Sequence, residues 1–307
     1  MSPVHHDHSA DAAVAAMTAL PDAGGESTSG PAPGFRAGAT LPIGVELARQ
    51  IRRRRTQLSL AFMVLLPLIL AGAFALGDSS GPPGSGSFVD LAQSSATNFV
   101  MVTLFFSASF LLIVIVSLFF GDTVASEASW SSLRYLLALP VPRRRLLRQK
   151  FVVAALLAAL SIVILAAVAA AVGLLLYGTG PLVTPAGESF AGWSAAGRMA
   201  LVVSFIVVQL AWVAGLAFLM TVSTDVPLGA VGSAVLLSIV SQILDQITAL
   251  GGIRDWLPTH YSFAWTGALV DPINLSDMTR GAFSSLAYGA VLVALAFWRF
   301  RRKDITS

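Results

Sequence analysis

Few residues of this sequence have the types and spacing that chemistry requires. Catalytic and metal sites need converging His, Cys, Asp, Glu or Lys side chains, and the chain has no cysteine. His5, His6 and His8 could bind a metal ion, but they lie among Ala, Gly, Ser and Pro residues, where a solvated tail is the better interpretation. Neither a G-x-x-x-x-G-K-[ST] phosphate loop nor an H-E-x-x-H motif occurs. The sequence predicts no catalytic residue, metal site or cofactor in this chain.

Polar residues inside the apolar segments are the next candidates. Asp245 is the one acid there, and its position near the end of a segment favours an interfacial residue over an ion ligand. Uncharged polar side chains in these segments form hydrogen bonds between helices or line a substrate path. We name five as candidates for such a path: Asn98, Ser107, Ser238, Ser241 and Gln242.

The composition decides which elements must position these residues. Of 307 residues, 56% are hydrophobic and 11% are charged, and the mean hydropathy is +0.78. Soluble domains carry about 25% charged residues, so this chain cannot cover itself with groups that suit water. A net charge of +3 is too small to indicate nucleic-acid binding. The sequence therefore predicts an integral membrane protein.

Six apolar stretches are long enough to cross a bilayer as helices, which takes about 20 residues each. They predict an all-α transmembrane domain over 58–300. The predicted spans are 58–77, 99–120, 151–177, 199–222, 227–250 and 281–299.

Basic residues predict the orientation of these spans. Six Lys and Arg residues precede the first span, six lie in the 121–150 loop and four in the C-terminal tail, whereas the opposite side has only Arg198, Arg254 and Arg280. Both termini and the 121–150 loop are therefore expected to face the cytoplasm, in a multi-pass protein of the plasma membrane.

The segments that flank the spans have their own predictions. Residues 1–40 are expected to be a disordered cytoplasmic tail, and 301–307 a second tail. Residues 41–57 predict an amphipathic helix along the headgroups, although its arginines alone could serve to stop translocation. Its apolar stripe and the first arginines beside it are Ile43, Leu47, Ile51, Arg52 and Arg53.

The 251–280 segment predicts a short helix, half inserted at the outer surface. Pro258 and Thr259 open it, Asp271-Pro272 closes it, and Tyr261, Trp265 and Leu269 share one face. We predict an outer gate formed by Trp256, Tyr261 and Trp265. An ordinary aromatic belt is the alternative.

The 121–150 loop contains a proline-broken, basic stretch. Pro140 ends a predicted helix over about 129–138, because proline lacks a backbone donor and disfavours helix before it. Arg143 to Arg145 are expected to hold anionic headgroups or acidic partner residues. A solvated positive-inside loop would explain these arginines, but it would not explain Trp130, Leu133 and Leu136 outside the membrane.

The stretch EASWSSLRYLLALPVPRRRLLRQK, residues 127–150, resembles the cytoplasmic loop of type-2 ATP-binding-cassette (ABC) transporter permeases. The helix before the first span is similar to the elbow helix of that family, and FWRFRRKDI is similar to its C-terminal exit. WLPTHYSFAW, residues 256–265, resembles the outer re-entrant segment of actinobacterial members. The sequence departs from the family at Ser131 and Ser132, where Gly and Thr are usual.

The resemblance implies a coupling helix that docks on an ATPase subunit. The residues it assigns to this contact are Glu127, Trp130, Leu133, Arg134, Tyr135, Leu136, Pro140 and Arg143.

It also implies a bacterial exporter built from two permease halves, as a homodimer or a paralogous heterodimer, and two ATP-binding subunits that hold ATP and Mg²⁺. The oily spans favour a hydrophobic or amphiphilic substrate such as a drug, antibiotic or lipid. Two alternatives stay open: a secondary transporter, and a non-transporting scaffold that docks a cytoplasmic partner. The first would need intramembrane acids or inverted repeats with broken helices, and neither is clear in the sequence.

Overall fold

The computed structural model describes residues 43–76, 88–129, 143–184 and 187–302. Within these ranges the chain is almost entirely helical. The α-helices are α1 (Ile43–Ile51), α2 (Arg54–Leu76), α3 (Phe88–Gln93), α4 (Ala96–Ala108), α5 (Leu111–Gly121), α6 (Ala125–Ser129), α7 (Arg143–Tyr177), α8 (Gly192–Gln209), α9 (Ala211–Ser223), α10 (Pro227–Gln246) and α11 (Ser276–Arg302). A two-stranded hairpin, β1 (Leu182–Val183) and β2 (Ser189–Phe190), joins α7 to α8, and two 3-10 helices (Thr248–Trp256 and Ala264–Leu269) join α10 to α11.

The spans confirm the prediction of an all-α, multi-pass membrane protein. By length and composition five helical segments can cross a membrane, and a bent pair makes a sixth if it is one span. The helix of the third span, α7, differs from its prediction, because it begins at Arg143 rather than at 151. Its basic residues therefore lie on the first turns of the helix and not in a loop.

The second span is bent and divided into two helices, whereas the sequence predicted one helical span over 99–120. Helices α4 and α5 meet at an angle of 60°. At the break Phe110 has φ −135° and ψ −55°, outside the helical range. One turn earlier, the Ser107 hydroxyl donates to the carbonyl of Thr103 at 2.6 Å, a bond that bends helices.

A neighbouring helix stabilises this break. The side-chain amide of Gln242 on α10 donates to the Ser109 carbonyl at 2.8 Å. A free carbonyl in the apolar interior is costly, so Gln242 offsets the loss of a helical hydrogen bond. A smaller interruption between α8 and α9 also has its carbonyl satisfied by a neighbouring helix. There the Ser285 hydroxyl of α11 donates to the Gln209 carbonyl at 2.9 Å.

The two ends of the helix bundle differ. At the basic end, Arg55 at the start of α2 contacts Asp122 after α5. At the hairpin end, Ser95 before α4 donates to Pro181 beside the hairpin at 2.9 Å. The bent pair therefore runs from one end to the other, as a broken span does and a re-entrant loop does not.

Helices α9 and α11 pack closely enough that their backbones touch. A Cβ placed on Gly215 would lie 2.8 Å from the Gly289 carbonyl oxygen and 3.0 Å from its Cα. Small residues allow such contacts in membranes, where helix association depends on packing.

The hairpin end carries a cap over the bundle, formed by the two 3-10 helices and the turns between them. This corrects the predicted single helix that begins at Pro258 and Thr259. In its place, turns span the residues after Leu257, and the second 3-10 helix starts only at Ala264. Tyr261 therefore lies outside the helix that carries Trp265.

The amphipathic helix is also shorter than predicted. It ends at Ile51, and Arg54 and Arg55 already begin α2. Ile43 and Ile51 are exposed, and Leu47 is partly buried against the core. The buried residue of α1 is Glu46, which lies beside the predicted apolar stripe.

We expect Gly215→Ala to destabilise the protein by about 1–3 kcal/mol, because the new methyl group meets backbone atoms that cannot rotate away. Thermal unfolding in detergent measures this. The matched control is Gly232→Ala on α10, where no atom lies within 4 Å of the added Cβ and alanine favours the helix. Equal melting temperatures for the two variants would contradict the close α9–α11 contact.

Candidate functional site

Four charged side chains form a network at the basic end, which we call the base network: Glu46, Arg49, Glu127 and Lys150. A single carboxylate oxygen of Glu127 accepts hydrogen bonds from Lys150 Nζ at 2.5 Å and from Arg49 Nη2 at 3.1 Å. Arg49 also donates to Glu46 at 2.8 Å, and Lys150 Nζ lies 3.9 Å from the same carboxylate. The network therefore joins α1, α6 and α7.

Most of this network is shielded from solvent. Lys150 and Glu127 are each 4% exposed and Glu46 is 8% exposed. A buried charge is stable only with a partner, and removal of one partner is strongly destabilising. Two carboxylates face two cations here, so the formal charges balance. Helix α1 cannot leave without removing two of the four charges.

The network shifts the pKa values of the two α1 residues. Burial alone would raise the pKa of Glu46, but the hydrogen bond from Arg49, the charge of Lys150 and the hydrogen bond from Gln50 together lower it below its ordinary value. Burial would lower the pKa of Arg49, and its bond and charge interaction with Glu46 raise it instead. Both groups are held in their charged forms.

Asp122 and Thr221 fix the segment between α5 and α6. Asp122 lies 2.6 Å from Arg55 and 3.8 Å from Arg53. Burial raises the pKa of Asp122, and the two arginines counteract only part of this. The Thr221 hydroxyl on α9 accepts from the backbone of Val124 at 3.2 Å and Ala125 at 3.0 Å. The chain before residue 130 is thus attached to α2, α7 and α9.

At the hairpin end, polar side chains fasten the cap to the helices. Arg198 on α8, 7% exposed, donates to the carbonyls of Ala268 at 2.6 Å and Val270 at 2.8 Å. Asp245 on α10 lies 2.7 Å from His260 Nδ1 in the cap. These bonds bridge helices and cap.

Within the described ranges, no group of three or more His, Asp or Glu side chains could hold a metal ion.

A comparison with protein families matches residues 61–306, about four fifths of the chain, to the family described as "Protein of unknown function (DUF2705)". The chain belongs to this family. The match begins within α2 and covers the rest of that helix and all the later spans. It also includes Asp122, Glu127 and Lys150. Glu46 and Arg49 precede it, so the base network joins the family domain to the helix in front of it. No curated protein matches the chain.

The structure describes only two members of the predicted coupling set. Glu127 lies in the base network. Arg143 is the first residue of α7. The predicted helix over 129–138 lies outside the described residues beyond Ser129. So do the remaining members of the set, which are Trp130, Leu133, Arg134, Tyr135, Leu136 and Pro140.

Each residue predicted for a substrate path has a hydrogen-bond partner in the protein. Asn98 accepts from the Val183 backbone at 2.9 Å, Ser238 donates to Ala234 at 2.8 Å, and Ser241 lies 2.8 Å from the Thr259 hydroxyl. Ser107 and Gln242 form the bonds at the bent span. These contacts give each residue a structural role, and the path itself stays a prediction.

The predicted gate residues differ in their environments. Trp265 is 1% exposed, Tyr261 is half-buried and Trp256 is 77% exposed. The Trp256 carbonyl accepts from Tyr288 of α11 at 2.6 Å. Trp265 therefore belongs to the interior of the cap and Trp256 to its surface.

Sequence reasoning missed Glu46, Arg49, Lys150 and Asp122. Lys150 was quoted only as the last residue of the basic stretch 127–150, although a single lysine directly before an apolar run suggests a carboxylate partner. Glu46 is three residues from Ile43 and one from Leu47, on the edge of the apolar stripe. That position was the available signal for a buried acid.

Lys150→Met should cost about 3–5 kcal/mol of stability, because Glu127 and Glu46 are then left without their buried cation. The double variant Glu127→Gln/Lys150→Met should recover part of that loss. Chemical or thermal unfolding in detergent gives both values.

The control for this pair is Arg280→Met. Arg280 and Asp277 form an exposed pair at 3.7 Å, and its loss should cost less than about 1 kcal/mol. If Lys150→Met is no more destabilising than Arg280→Met, the base network does not exist as described.

The docking of α1 should depend on pH through Glu46. Because its pKa is lowered in the docked state, its contribution is fully present above the pKa of the undocked carboxyl, and it is lost as pH falls through the lowered value. A spin label at Val45, an exposed position, should become more mobile on titration from about pH 7 to about pH 3. In Glu46→Gln the label should be mobile already at neutral pH and change little.

Proposed function

We propose that this protein is the membrane-spanning half of an ATP-driven exporter of the type-2 ABC class, with ATP hydrolysis in a separate subunit. The observation that carries the proposal is the base network. It ties Glu127, before residues 130–142, to Lys150, after them. A segment that is anchored at both ends can transmit a push to the helices behind it.

The sequence of the anchored segment supports a protein partner. Trp130, Leu133 and Leu136 lie between the two anchors, and apolar side chains of this kind form the centres of protein contacts. A loop that only marks topology needs the arginines and nothing more.

The anchors also indicate which helices would move. Lys150 belongs to α7, Glu46 to α1, and Asp122 follows α5 and contacts Arg55 of α2. Force on residues 130–142 would therefore reach the first three spans together. In this proposal α1 is the elbow helix, with Glu46 toward the protein and Ile43 and Ile51 toward the headgroups.

The remaining assignments follow from the charge distribution and the family resemblance. The basic end and both termini face the cytoplasm, and the hairpin end faces outward. Two such halves, identical or paralogous, combine with two ATP-binding subunits in the plasma membrane of a bacterial cell. The substrate is hydrophobic or amphiphilic, because the spans are oily.

The test is purification of the tagged chain from its native membranes, with detection of a co-purifying protein that binds ATP and carries its own phosphate loop. Trp130→Ala/Leu133→Ala should reduce recovery of that protein more than tenfold, since truncations of central contact residues cost about 2 kcal/mol or more each. Arg143→Ala should have a smaller effect, because an exposed charge contributes at most about 1 kcal/mol.

Trp193→Ala is the matched control. Trp193 is 93% exposed at the hairpin end, so its loss should leave recovery unchanged. Full recovery of the ATPase with the Trp130/Leu133 variant, or absence of any ATPase from the wild-type preparation, would refute the proposal.

A secondary transporter is the second candidate, and the bent span favours it. Discontinuous helices form substrate and ion sites in such transporters, and the sequence alone had given no clear broken helix. Transport by the purified chain in vesicles without nucleotide, driven by an ion gradient, would support this candidate over the first.

A further inference from the structure

His260 lies between two carboxylates at the hairpin end. Its Nδ1 is 2.7 Å from Asp245 Oδ1 of α10, and its Nε2 is 3.4 Å from Asp255 Oδ1 of the first 3-10 helix. Both ring nitrogens therefore face an acceptor. The ring connects a spanning helix, the first 3-10 helix and the turns of the cap that carry His260 itself.

The charged form of the ring is the one that satisfies both contacts. A neutral imidazole has one N–H and one lone pair, whereas the imidazolium donates from both nitrogens. In the neutral form one of the two carboxylates therefore faces a lone pair. The side chain of Asp245 is 13% exposed and that of Asp255 is 63% exposed. Because water solvates Asp255 far better, the neutral ring retains its bond to Asp245 and loses the one to Asp255.

The charges around the ring balance when His260 is protonated. Arg254 of the first 3-10 helix is the other cation, and its Nε lies 3.7 Å from Asp245 Oδ1. That separation is longer than a hydrogen bond, so Arg254 does not replace the bond from His260. Tyr261 contacts the ring edge-on at 4.8 Å. Among the described residues, two carboxylates thus face one arginine and one histidine, and a neutral histidine leaves an excess negative charge.

The first 3-10 helix can move when a contact is lost. None of its residues is buried, and Ile253 and Trp256 are 64% and 77% exposed. Gly251 interrupts it with φ +52° and ψ −134°, a backbone conformation that glycine adopts readily. Residues 252–256, after this kink, form the part that carries Asp255. Hinges of this kind absorb backbone rotation at a few residues.

We infer that His260 is a pH-dependent clasp: its charged form ties residues 252–256 to α10 through Asp255 and Asp245, and its neutral form releases them at Asp255. Histidine changes its charge between about pH 5 and pH 8, so the segment is held more firmly at the acidic end of this range. The clasp itself is independent of the proposed function. That the protons come from outside the cell rests on the proposed function, which places the hairpin end outward.

Two other contacts limit the movement. The Arg254–Asp245 pair remains, and Tyr288 of α11 donates to the Trp256 carbonyl at 2.6 Å. The release is therefore a local opening between Gly251 and Trp256, and the rest of the cap stays attached.

The experiment measures the mobility of a nitroxide label at Ile253→Cys in the purified full chain, by electron paramagnetic resonance. The chain has no native cysteine, so the label attaches at this position alone. From about pH 5 to pH 8 the ratio of mobile to immobile signal should rise about 2- to 5-fold, the range for loss of an exposed ion pair. Neither nucleotide nor partner is present, so failure of this test leaves the ATPase proposal unaffected.

Two variants separate the clasp from a purely structural role. In His260→Gln the pH dependence should disappear, and the ratio should stay near the wild-type value at about pH 8. Asp255→Asn keeps the ring and should reduce the pH-dependent change. The matched control is Asp277→Asn, because Asp277 at the start of α11 has the same exposure, 63%, and does not contact the ring; the titration should be unchanged.

The charge of the ring is followed directly in a chain with His5, His6 and His8 replaced by Gln, where His260 is the remaining histidine. The nitrogen NMR signals of its ring should change over the same pH range as the label mobility. A mobility that does not change with pH, or that changes equally in His260→Gln or in Asp255→Asn, would overturn the inference. So would a ring that titrates while the label mobility stays constant.

Discussion

A lysine that is 4% exposed is costly to bury unless carboxylates lie beside it, and this constraint organises the basic end of the protein. Glu127 and Glu46 both approach Lys150, so α6 and α1 must occupy fixed positions against α7. Arg49, on the solvent side, forms ion pairs with both carboxylates. Together with the Arg55–Asp122 pair, these ion pairs connect the starts of the first and third spans to the end of the second, in addition to the apolar packing there.

Inside the bundle a different constraint applies, because backbone groups cannot bond to water in an apolar environment. The two interruptions, at Ser109 and Gln209, leave carbonyls that Gln242 and Ser285 satisfy. This gives Gln242 and Ser285 a structural role in the spans. It also makes the bend a specific structure, since Gln242 lies on another helix and holds the bent position.

The two ends are held together by different interactions. The basic end joins three spans through ion pairs around the segment that the proposal assigns to an ATPase. The hairpin end instead has a cap that side chains such as Arg198 hold by hydrogen bonds to its carbonyls.

The sequence by itself determined the membrane-spanning, all-α character and the approximate positions of the spans, because long apolar runs have no other stable form in lipid. Residue type and position also singled out Trp265 and Gln242, and the family resemblance singled out Glu127. The tertiary structure decided what these residues contact. Lys150 and Glu46 are far apart in the chain, and no local pattern pairs them. The bend at Ser109 depends on Gln242, 133 positions away. Hydropathy is a local property of the chain, whereas the pairing of buried charges and freed carbonyls depends on which helices become neighbours.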